Sequence, residues 1–119
     1  MWSAAIHLHK LIVIQFAEFQ NQLQHTELAL VYCSTPTCNV CKVLRPKVEL
    51  MVSEIGDWEF IYIDTTQNPE IAGQYLIFSV PTLLLFAQGK EVQRFNRHFG
   101  LDDLKLELER YQKLTRSAK

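Results

Sequence analysis

The chain has 119 residues, 48% of them hydrophobic and 11% aromatic, enough to build one domain around a real core. Lys and Arg number 12 against 13 Asp and Glu, for a net charge of -1, so no basic excess exists to displace counterions from nucleic acid or an acidic membrane. Three cysteines are too sparse, and odd in number, for a secreted disulfide scaffold; they fit a reducing compartment.

Residues 1 to 10 read as an N-terminal extension of unassigned role, ahead of one domain running from Leu11 to Lys119. The extension lacks a basic n-region, and His7, His9 and Lys10 interrupt its apolar character, so it does not read as a signal peptide. No stretch approaches the roughly 18 uninterrupted apolar residues of a membrane span. The expected location is the cytoplasm.

Leu11 to Gln15 reads as a first strand, although one helix from Leu11 to Gln24 fits nearly as well. Phe16, Phe19 and Leu23 then recur at spacings of three and four, the mark of a short amphipathic helix. Leu28 to Cys33 is a continuous apolar run of strand length, the kind buried on both faces of a sheet. Ser34, Thr35, Pro36 and Thr37 form a turn-rich lead into a helix. From Asn39 to Ile55, Val40, Leu44, Val48, Met51, Val52 and Ile55 keep helical spacing, with Arg45, Lys47, Glu49 and Glu54 opposite. Pro46 predicts a bend in that helix, not its end.

Gly56 and Asp57 punctuate the exit, and Trp58 to Ile63 alternates as a strand. Asn68-Pro69 opens a short helix through Tyr75. Val80-Pro81-Thr82 precedes the strand Leu83 to Phe86, and a turn over residues 87–90 returns Val92 to Phe95 as an antiparallel hairpin arm. Leu101, Leu104, Leu108 and Tyr111 line one face of a last helix, with Asp102 and Asp103 at its start and Lys113 and Arg116 near its end, as the helix dipole favours. The elements run β-α-β-α-β-α-β-β-α, an α/β chain with helices flanking a mixed central β-sheet.

The chemistry concentrates at Cys38-Asn39-Val40-Cys41. Two thiols separated by two residues at a helix start can close into a disulfide without unwinding the backbone. The free N–H groups and partial positive charge of that helix end favour a thiolate on Cys38. Lys42 is either a solvated helix residue or a charge that lowers the Cys38 pKa further. The rival readings are an inert pair of small apolar residues or half of a metal site. Cys33, Cys38 and Cys41 match the start of a plant-type iron–sulfur spacing, but that cluster needs a fourth cysteine and the chain has 3. His7, His9, His25 and His98 are scattered, with none at ligand spacing from the cysteines. Neither a metal nor an organic cofactor is expected, and Cys33 reads as a buried strand residue.

From about Leu11 onward the chain resembles the thioredoxin family. The resemblance rests on the apolar strand, the CxxC followed by Lys42, Pro46 inside the next helix, and the strand ending in Asp64. It extends through Val80-Pro81-Thr82, the glycine turn at Gly89, and Gly100 before the last helix. It implies the thioredoxin fold, with Cys38 as nucleophile on a substrate disulfide and Cys41 as the resolving thiol. It also implies a cis Pro81 that brings the Val80 backbone beside Cys38, to pair with an extended substrate segment. Thr37, Asn39, Val40 and Lys42 would complete the surroundings of the pair. The partners implied are disulfide-containing proteins, with a thioredoxin reductase or a low-molecular-weight thiol as electron donor.

Two departures stand out. The family usually has Trp-Cys-Gly-Pro-Cys where this chain has Thr37-Cys38-Asn39-Val40-Cys41, so the flat aromatic beside the site is missing. The family's buried carboxylate on the preceding strand aligns with Tyr32, which is no base near neutral pH. A second reading follows from these departures: a thioredoxin-fold binding or redox-sensing module with little catalysis of its own.

Overall fold

The computed structural model describes residues 15–118. In chain order the elements are α1 (Phe16–Gln24), β1 (Leu28–Ser34), α2 (Asn39–Ile55), β2 (Glu59–Asp64), α3 (Pro69–Gln74), β3 (Thr82–Ala87), β4 (Lys90–Phe95) and α4 (Leu101–Ser117). The sheet order is β2-β1-β3-β4, with β1 parallel to β2 and antiparallel to β3, and β4 antiparallel to β3. The expected first strand over Leu11 to Gln15 lies outside the described residues except for Gln15, which is extended ahead of α1.

Strand alternation sorts the core into two layers. Leu28, Leu30 and Tyr32 of β1, with Leu83 and Leu85 of β3, face Cys41, Val48 and Val52 of α2 and Leu104 and Leu108 of α4. Ala29, Val31 and Cys33, with Ile61, Ile63, Leu84 and Phe86, face Phe19 and Leu23 of α1 and Ile71 of α3. All seven residues of β1 are buried, as the continuous apolar run predicts for a strand covered on both sides. Each fully buried Leu, Ile or Phe stabilises the fold by about 1.5–3 kcal/mol relative to exposure.

One boundary differs from the sequence reading: β2 spans Glu59–Asp64, one residue later at each end than Trp58 to Ile63. Trp58 lies just before it, its indole N–H donating to the Leu108 carbonyl at 3.0 Å. Phe60 and Tyr62 of β2 are half-buried and pack against the layer that faces α2, while Ile61 and Ile63 are buried in the other. The hairpin turn has positive φ at both Gln88 and Gly89, the backbone that matches the twist of its arms. A Cβ on Gly89 would stand 3.2 Å from the Gln24 Cα, so the close approach to α1 also requires glycine there.

Helix α2 is held firmly at its far end. Gln112 of α4 donates from its side-chain amide to the Ile55 carbonyl at 2.9 Å and the Asp57 carboxylate at 3.1 Å. Arg116 pairs with the same carboxylate at 2.6 Å. These contacts take up a carbonyl that the helix C-terminus leaves open. The helix runs through Pro46 as the sequence predicts.

Candidate functional site

The other end of α2 carries the cysteines. Cys38 is its N-cap, with an extended backbone whose N–H donates to the Thr35 carbonyl at 3.2 Å. The Cys38 carbonyl accepts the Lys42 N–H at 3.2 Å, and its Sγ accepts the Cys41 N–H at 3.2 Å. The two sulfurs are joined as a disulfide across a Cα–Cα separation of 5.3 Å, an ordinary span for such a bridge. Cys38 is half-buried, whereas Cys41 is 2% exposed. The outer sulfur is the one a substrate can reach. A helix N–H aimed at that sulfur, with the dipole behind it, favours the thiolate once the bridge opens.

Thr37, Asn39, Val40 and Lys42 are all exposed around the pair. Val40 was expected among the inward apolar positions of α2, but it is 48% exposed. The inward seam begins at Cys41 and continues through Val48 and Val52, so Val40 falls on the outer side. The Val80–Pro81 peptide is cis, as the resemblance implies. Pro81 is buried and Val80 half-buried, and Val80 and Cys38 pack against the same core layer. Thr82 fixes the loop before Pro81 by donating its hydroxyl to the Ser79 carbonyl at 2.6 Å. Phe78, on that loop, is 87% exposed. Its position directly before Ser79-Val80-Pro81 is the signal in the sequence that points to it.

Tyr32 sits directly beneath the pair. Its buried phenol donates to the Cys41 carbonyl at 2.9 Å. Its ring stacks on Tyr62 at 6.2 Å and tilts against Phe60 at 5.8 Å. The Arg45 guanidinium caps this group 3.8 Å from the Tyr62 ring centre and pairs with Glu49 at 2.8 Å. Burial, reinforced by Tyr62, pushes the Tyr32 hydroxyl up to about 12. It is therefore a neutral donor across the physiological range and takes no proton from Cys41.

Cys33 is on the opposite side of β1 from Cys41, in the layer under α1 and α3. Burial pushes its thiol up to about 12, so it is an inert core thiol. The three cysteines do not converge, and no cluster of three His, Cys, Asp or Glu fit for a metal occurs among the described residues. His25 approaches the Asn21 carbonyl on α1 at 2.8 Å, and His98 is exposed; His7 and His9 lie outside the described residues. Among the described residues no helix is long and apolar enough to cross a membrane.

Comparison with known families matches residues 10–110 to the one described as Thioredoxin. The chain is 29% identical to the thioredoxin-like protein YdfQ of Bacillus subtilis, over 90% of this chain and 91% of that one. Among solved structures it is similar to the N21Q mutant thioredoxin from Halobacterium salinarum, with a TM-score of 0.75 and 30% identity over 84% of this chain and 88% of that one. The Plasmodium falciparum thioredoxin structure also gives a TM-score of 0.75, at 27% identity over 84% of this chain and 97% of that one.

Proposed function

The chain belongs to the thioredoxin family, and we propose that it is a thiol–disulfide oxidoreductase that reduces protein disulfides through Cys38 and Cys41. The observation that carries this reading is the asymmetry of the pair: a reachable Cys38 capping α2, with Cys41 covered behind it. In the reduced protein the Cys38 thiolate attacks one sulfur of a substrate disulfide. The other substrate sulfur leaves as a thiolate and takes up a proton. The Cys41 thiol then gives up its proton and attacks the Cys38 sulfur, releasing the second substrate thiolate. The products are a reduced substrate and the Cys38–Cys41 disulfide, two electrons having passed between them.

Both electrons reside in sulfur bonds, so the exchange uses no bound cofactor. A thioredoxin reductase or a low-molecular-weight thiol restores the dithiol. A reducing cytoplasm sets the direction toward substrate reduction. Thr37, Asn39, Val40 and Lys42 surround the attacking sulfur, and the Val80 backbone beside Pro81 offers pairing groups to an extended substrate.

A redox titration of the pair, read by thiol alkylation and mass, tests the reading. A reversible two-electron couple near about -270 mV supports a reductase, and one near about -180 mV an oxidant or isomerase. Failure to form the Cys38–Cys41 disulfide at any potential removes the catalytic reading. Tyr32 favours a second reading, a binding or redox-sensing module, because a neutral phenol offers Cys41 no base. Persistent partner binding by a wild-type protein that never turns over disulfides would select that alternative.

A further inference from the structure

The side of α2 that leads away from the cysteines is apolar where a surface helix is ordinarily polar. Val40 is 48% exposed and Val43 64% exposed, three positions apart and therefore neighbours on one side. With Asn39, Leu44, Lys47 and Leu101 they line a shallow groove between α2 and the start of α4. Asn39 and Val40 stand between the two cysteines in the chain, so the groove begins in the same turn that carries them. Core packing does not account for the exposed valines, since Cys41, Val48 and Val52 supply the buried seam. Two exposed valines over a shallow groove beside the cysteine pair leave room for one apolar side chain of a bound segment.

Charge says what docks there. Lys47 is the one charged residue in the lining, and neither aspartate that opens α4 belongs to it. The first turn of α2 holds no acidic residue, and Glu49 is taken by Arg45 at 2.8 Å. Lys42 and Lys47 are exposed, and neither occurs in an ion pair among the described residues. An apolar floor ending in a free ammonium complements a segment with an apolar side chain followed by a carboxylate.

We propose that this groove selects the protein disulfides that the cysteine pair reduces, a refinement that rests on the oxidoreductase reading above. At about 1.5 Å per helical residue, Val43 lies about 7.5 Å and Lys47 about 13.5 Å beyond Cys38 along the helix. An extended segment at about 3.3 Å per residue covers those distances in about two and about four residues. The preferred substrate therefore has its apolar side chain two positions from the attacked cysteine and its carboxylate four positions from it. The bond chemistry is unchanged: the groove acts on capture and orientation of the substrate.

The test compares disulfide-linked dimers of three five-residue peptides: cysteine-glycine-leucine-glycine-glutamate, its lysine-ended counterpart, and a version with glycine in place of leucine. A small aromatic disulfide serves as the reference substrate. The wild type is expected to reduce the glutamate peptide with a kcat/KM at least about tenfold above the lysine peptide, a preference weakened by salt. Lys47→Glu is expected to invert that preference, and Val43→Ser to lower the leucine-over-glycine preference about fivefold. Equal kcat/KM for all three peptides, in a wild type that reduces them and the small disulfide, overturns the groove proposal and leaves the oxidoreductase reading standing. A wild type that reduces none of the four substrates overturns the oxidoreductase reading, and the selection role falls with it.

Discussion

Cys33 and Cys38 are separated by one tight turn, yet they are opposite kinds of thiol. Cys33 is fully buried in an inner strand of the sheet, under α1 and α3, where burial pushes its pKa to about 12. Cys38 caps a helix, half-buried, with a backbone N–H on its sulfur. The residue type is identical, so the secondary structure around it decides the chemistry. A strand interior desolvates a thiol and keeps it protonated, whereas a helix start offers it positive charge and an approach path.

Replacing each thiol in turn tests that contrast most severely. Cys38→Ser is expected to abolish turnover of a protein disulfide, by at least about a thousandfold, because no attacking sulfur remains. Cys33→Ala is expected to keep turnover within about twofold while losing about 1 kcal/mol of stability to the cavity it leaves. Comparable activity losses in both variants would erase the distinction.

Alkaline unfolding sharpens it. The Cys33 pKa is raised on folding from 9.0 to about 12, so the folded chain holds a proton that the unfolded chain releases. Its contribution to stability is complete below pH 9 and is lost as the pH climbs toward 12, by about 1.4 kcal/mol per pH unit. Tyr32 adds a similar loss that begins near 10. The unfolding free energy of the oxidised protein, from denaturant melts, should therefore fall by about 1 kcal/mol between pH 9 and 10 in the wild type and by clearly less in Cys33→Val.

The reactive side has its own support. Tyr32→Phe removes the hydrogen bond to the Cys41 carbonyl and is expected to cost about 1 kcal/mol in a denaturant titration. Arg45→Ala uncovers the Tyr62 and Phe60 rings and should cost about 0.5–1 kcal/mol in the same titration, the smallest of these effects.

The elements that were legible in the sequence are those with a local cause. Leu28 to Cys33 declared a strand covered on both sides, the Leu104 and Leu108 spacing declared the inner face of α4, and the CxxC after a Ser-Thr-Pro-Thr turn declared a helix start. What stayed hidden depends on contacts far apart in the chain. The Tyr32 phenol reaches the Cys41 carbonyl, and the Trp58 indole reaches the Leu108 carbonyl on α4. The outward turn of Val40 was obscured because Cys41 also counts as an inward apolar residue. A spacing argument centred on aliphatic residues therefore begins the seam one position early.

The anchoring of α2 bears on what a partner meets. The helix is about 25 Å long, and its far end is tied to α4 through Gln112 and Arg116. Its near end is tied as well, by the Tyr32 phenol on the Cys41 carbonyl, and Cys41, Val48 and Val52 seat it in the core between. The shaft is thus a fixed platform, and what it presents to a partner is the half-buried Cys38 at its tip.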